Sequence, residues 1–163
     1  MLKMFSLLVC VFMAIPVQAA EEFWRADLLH ENLNCLLKVT RKKMGSASVS
    51  AAPRLKVESE TPLSEFQDAM EKFWRFRPDF FLNVYDVNTN TIYLMNKKNS
   101  YKAPRTPVDS LVHELAHFVQ VKDRGHGMED GDALESEAVQ VQTWFRENRG
   151  NFISEEKYQG PCE

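Results

Sequence analysis

"LVHELAHFVQ", Leu111–Gln120, is the stretch whose reading decides the fold. Leu111, Val112, Leu115, Ala116, Phe118 and Val119 recur at helical spacing on more than one face. The segment therefore reads as a helix buried nearly all round. One strip of it is polar. His113 and His117 are four residues apart and project from one face on successive turns, where both imidazoles can reach a single ion. Glu114 lies about 100° around the helix from His113. There it can touch a water on the metal without ligating the metal. Two ligands and a general base are what an H-E-x-x-H segment offers to zinc-dependent hydrolysis. The competing expectation is a core helix with a satisfied histidine pair. A buried face holding two histidines and a glutamine needs partners for its polar atoms, and a metal supplies them. Gln120 shares the histidine face and is the candidate to orient a ligand.

A catalytic zinc usually takes three protein ligands and keeps one position open. No third histidine follows at the metzincin spacing: Asp123 stands there, and His126 lies too far along. The next helical segment, "ESEAVQVQ" at 135–142, offers Glu135 and Glu137. An HExxH helix followed by a glutamate on a second helix resembles the gluzincin metallopeptidases. The resemblance runs from Leu111 to about Phe145 and rests on His113, Glu114, His117 and one of the two glutamates. The segments are also similar to small secreted bacterial HExxH proteins of unassigned function. The resemblance implies a zincin-like fold, Zn²⁺ as cofactor and peptide-bond hydrolysis with Glu114 as general base. Glu137 stands 20 residues after His117, the thermolysin-like spacing. Glu135 is followed three residues on by Ala138, as in the E-x-x-A of other gluzincins, although Asp132-x-x-Glu135 also reads as a capping box. Glu135 is preferred and Glu137 stays open. The Asp or Asn that these families often place four residues after the ligand is here Val139 or Val141, so a histidine must be oriented from elsewhere.

The 163-residue length suits one domain. A 44% hydrophobic and 26% charged composition argues against disorder, and a net charge of -3 gives no reason to expect nucleic acid. The opening "MLKMFSLLVCVFMAIPVQA", 1–19, has a lysine, an apolar run and small residues at Val17 and Ala19. This is the pattern of a signal peptide cleaved after Ala19, leaving a single domain at 20–163 exported to the periplasm or outside the cell. Beyond it no stretch is long and apolar enough to span a membrane. Cys10 would leave with the signal. Cys35 and Cys162 would remain, in an oxidising compartment that favours a disulfide between them.

The rest of the chain reads as α+β. An amphipathic helix is expected over 23–43, with Arg41-Lys42-Lys43 as its solvated basic end and His30 structural or exposed. A small-residue loop follows at 44–53. A second helix covers 61–76, with Thr61 as cap, Pro62 at the first helical position and Arg77-Pro78 as its stop. Alternation over 80–96 about the turn-forming "NTNT", 88–91, predicts a β-hairpin. Thr106-Pro107, with Asp109 as the acidic capping partner, starts the HExxH helix. A glycine-rich loop at 122–131 carries His126, either an oxyanion stabiliser or an exposed loop residue. Asp132 caps a fourth helix that ends before Gly150. The expected architecture is four helices with a β-hairpin or small sheet packed on the HExxH helix and the other helices on the far side. The expected function is a secreted zinc metallopeptidase acting on a peptide or protein. The alternatives are a non-catalytic zinc-binding or interaction protein on the same scaffold, and a secreted structural protein without metal.

N-terminal sequencing of protein recovered from the periplasm or medium is expected to begin at Ala20. An uncleaved chain confined to the cytosol would contradict the export pattern.

Overall fold

The computed structural model describes residues 21–127 and 131–149. The expected signal segment and Cys162 lie outside them. Helix α1 spans Ala26–Met44 and buries Leu29, Leu36, Leu37 and Val39. Gly45 ends it at φ 68°, a left-handed position glycine takes without strain, and its N–H caps the Arg41 and Lys42 carbonyls. Strand β1, Arg54–Val57, follows. Helix α2 is Leu63–Trp74. It is shorter than expected at both ends: Pro62 sits outside the helix as its cap residue, and Arg75 in the left-handed region stops it before Pro78.

Strands β2, Val84–Asp86, and β3, Thr91–Leu94, form the expected hairpin. The Asp86 carboxylate accepts the Asn88 backbone N–H at 3.1 Å, and Asn90 takes φ 50°, so the "NTNT" chemistry makes the turn. β1 pairs in parallel with β3, giving a three-stranded mixed sheet in the order β1-β3-β2. β3 is buried along its whole length. Ile92 and Leu94 face a large core shared with the helices, while Tyr93 faces Phe66 and Phe81 on the other side.

Helix α3, Pro107–Phe118, starts as anticipated. The Thr106 N–H donates to Asp109 Oδ1 at 2.5 Å, and the Asp109 N–H donates back to Thr106 Oγ1. It runs on into a π-helical turn, Val119–Asp123, where a loop was expected from 122. Helix α4 is Gly131–Arg149. Among the described residues the architecture is thus α+β, with four α-helices and one small mixed sheet. The far-side expectation needs correction. α1 and α4 pack on the same side of the sheet as α3, around one core, and among the described residues α2 alone covers the opposite face.

Arg41 is not the solvated helix end that its neighbours suggest. Its guanidinium reaches Asp123 at 2.7 and 3.1 Å, and the Asp123 side chain is fully buried. Ser50 Oγ donates to the same carboxylate at 2.6 Å. Burial alone would raise the Asp123 pKa. The hydrogen bonds from Arg41 and Ser50 more than offset that and hold it at about 2. An unfolded aspartate titrates near ~3.9. The lowered folded value therefore adds stability that is complete above that range and fades as pH falls toward 2, amounting to about 2 kcal/mol. Denaturant melts of wild type and Asp123→Asn should show a stability gap that shrinks by about that much between pH 6 and pH 2. A gap independent of pH contradicts this account of the Arg41–Asp123 pair.

Candidate metal centre

α3 turns its one polar strip toward α4. His113 Nε2 and His117 Nε2 lie 3.1 Å apart. Glu135 Oε2, one turn into α4, lies 3.5 Å from the first and 3.3 Å from the second. An ion in tetrahedral coordination with bonds of about 2.0–2.2 Å holds neighbouring donors about 3.3–3.6 Å apart. The three edges form a triangle close to that size. His113, His117 and Glu135 therefore form a group that can hold a metal ion. The imidazoles are largely buried and the glutamate is half exposed, so the group opens to solvent on the α4 side. Burial, and then the neighbouring His117, lower the His113 pKa, with Glu135 opposing. A ring kept neutral is the form that ligates a metal.

Glu114 is buried beside this triangle. Burial pushes its carboxyl up to about 8, against a hydrogen bond from the Tyr85 backbone, and Glu135 adds to the rise. A divalent cation in the triangle would act in the opposite sense and favour the carboxylate. Both residues open into a cleft of ≈ 420 Å³, whose walls include Trp74, Asn83, Val84, Tyr85 and Leu134. A larger and more open hollow of ≈ 600 Å³ lies between α1 and the 46–52 segment. Its lining includes lysines and serines and none of the candidate metal-ligating group, which opens into the smaller cleft.

The other candidates sort by their contacts. Gln120 is fully buried and its Oε1 is 2.9 Å from His117 Nδ1, the orienting contact that Val139 and Val141 cannot make. Glu137 does not face the histidines: Gln120 Nε2 donates to it at 3.0 Å and Arg124 Nη1 at 2.7 Å. The capping-box reading of Asp132-x-x-Glu135 fails because α4 already includes Gly131, which puts Asp132 in the first turn and leaves Glu135 free to face α3. His126 is exposed and outside the cleft wall. His30 pairs with Glu60 at 2.9 Å on the surface. Cys35 is disulfide-bonded, and the partner expected for it, Cys162, lies outside the described residues. Tyr85, Trp74 and Arg124 are the additions that sequence reasoning missed. Their roles come from β2 and α2 lining the cleft and from the π-turn meeting α4, which no local pattern announces.

No family model, no curated protein and no solved structure matches the chain.

Metal analysis of purified variants should separate the two glutamates. Glu135→Ala, like His113→Ala or His117→Ala, is expected to lose the ion, since a two-ligand site holds metal poorly. Glu137→Ala is expected to retain it with weaker affinity. Loss of metal from Glu137→Ala alongside full retention by Glu135→Ala contradicts this assignment.

Proposed function

We propose that the protein is an exported zinc metallopeptidase that hydrolyses peptide bonds on a zincin-like scaffold. The observation that carries this is the closed triangle of His113, His117 and Glu135 donors, with the buried Glu114 carboxyl beside it in one cleft. The donor set favours zinc: two imidazoles and one carboxylate are a ligand set that catalytic zinc accepts. The small sheet packed on the HExxH helix is consistent with the scaffold. Residues of β2, an edge strand, line the cleft, and an edge strand can take an extended peptide alongside it. Trp74 adds an apolar wall for a side chain of that peptide.

Zinc in the triangle would supply Lewis acidity, polarising the scissile carbonyl and lowering the pKa of a water toward about 7. Glu114 accepts the proton of the attacking water as its oxygen joins the carbonyl carbon. It then gives that proton to the amine as the C–N bond breaks. Tyr85 lines the same cleft wall as Glu114, and its backbone favours the carboxylate form. Gln120 keeps the His117 ring aimed at the site.

A non-catalytic zinc-binding role is the second reading. It is favoured by the position of His126, which lies outside the cleft and so supplies no oxyanion donor from the glycine-rich loop. Glu114→Gln separates the two. The variant should keep its zinc and lose about 10²–10⁴-fold in peptidase rate, the usual worth of a general base. A wild-type protein that binds zinc yet cleaves nothing in a broad peptide library supports the second reading and contradicts the first.

A further inference from the structure

We infer that Arg124, Glu137 and Gln120 form a relay that sets the tautomer of His117 in advance, so that its Nε2 presents a lone pair to the site. The inference deepens the metal-centre proposal and rests on it for its consequence, though not for its geometry. Gln120 is fully buried, and both protons of its amide nitrogen meet atoms that act as acceptors. One goes to the Leu134 carbonyl at 2.8 Å and the other to Glu137 Oε2 at 3.0 Å. Glu137 is held for this by Arg124, whose Nη1 lies 2.7 Å from its Oε1 and whose other terminal nitrogen bonds the Met44 carbonyl at the end of α1. Exchanging the amide oxygen and nitrogen of Gln120 would set oxygen against two oxygens, so the amide has one orientation.

That orientation places Gln120 Oε1 2.9 Å from His117 Nδ1. An amide oxygen accepts only, so Nδ1 carries the hydrogen, and a neutral ring protonated at Nδ1 has its lone pair on Nε2. The relay works against a local pull. Glu135 Oε2, 3.3 Å from His117 Nε2, is an acceptor and would draw the proton onto Nε2, the form that cannot ligate. His113 Nε2, 3.1 Å away, then supplies the hydrogen shared between the two rings in the metal-free protein. Glu137 is thereby an anchor rather than a spare ligand. The pairing also gives two glutamates two residues apart on α4 different tasks, one at the metal and one behind it. All of these are positioning residues, acting through His117.

Histidine ¹⁵N–¹H correlation spectra of the metal-free full-length protein read the tautomer directly. Wild type should show His117 protonated at Nδ1. Gln120→Leu should shift population to the Nε2–H form and weaken zinc binding about 10–100-fold, the usual effect of losing a ligand's orienting partner. Glu137→Ala should move both readouts the same way by less, because the Leu134 carbonyl still holds one amide proton. If Gln120→Leu does not fold, the Glu137→Ala spectrum decides. A His117 ring that stays protonated at Nδ1 in every folded variant, or that is protonated at Nε2 in wild type, overturns the relay. A protein whose tautomer responds to Gln120 but which takes up no zinc keeps the relay and refutes the metal centre. Zinc uptake with a tautomer indifferent to Gln120 does the reverse.

Discussion

The structure depends on one constraint: α3 and the π-turn that continues it are buried on nearly every side yet carry His113, Glu114, His117 and Gln120. A polar group taken from water without a partner costs roughly 1–3 kcal/mol, and a charged one more. Each of these side chains therefore needs a neighbour to answer it, and the neighbours define the fold around the site. β2 lies against Glu114, where the Tyr85 backbone favours its carboxylate against the burial that raises its pKa. α4 answers the imidazoles with Glu135, and answers Gln120 with the Leu134 carbonyl and Glu137. The same logic holds at the start of the helix. There Asp109, also buried, completes the cap with Thr106 and takes Arg146 of α4 at 3.1 Å.

α4 can serve both glutamates because of its own buried stripe. Leu134, Ala138, Val141 and Phe145 face the core, and at 100° per residue Glu135 and Glu137 fall on opposite flanks of that stripe. One flank meets the histidines and the other meets Gln120 and Arg124. Ala138 lies fully buried at the middle of the stripe, and its small side chain lets the two helices approach closely enough for a carboxylate to span between them. Behind the site, Arg41–Asp123 and Arg124–Met44 tie the end of the π-turn that carries Gln120 to α1.

Much of this was legible because the chemistry is local. His113, Glu114 and His117 lie within one turn and a half, and a period of 3.6 places them without reference to anything distant. The cap at Thr106 and the hairpin turn at Asp86–Asn90 are likewise short-range. β1 was missed because "RLKV" is only four residues, follows a loop of small residues, and earns its place by parallel pairing with β3, some 37 residues away. The end of α2 was missed because Arg75, not Pro78, takes the left-handed turn. Choosing between Glu135 and Glu137 needed the rotation of α4 about its axis, which packing sets and spacing does not. The buried role of Arg41 was hidden for the same reason: a basic helix end reads as solvated until its partner is known to arrive from the π-turn.

The central claim is that α3 and α4 together present three metal donors, with Glu137 excluded from them. The most direct test is a crystal structure of zinc-loaded protein with anomalous data at the zinc edge. The account predicts a single anomalous peak about 2.0–2.2 Å from His113 Nε2, His117 Nε2 and a Glu135 oxygen, with Glu137 still bonded to Gln120 and Arg124. Zinc bound through Glu137, or no anomalous peak between α3 and α4 at saturating zinc, would contradict it.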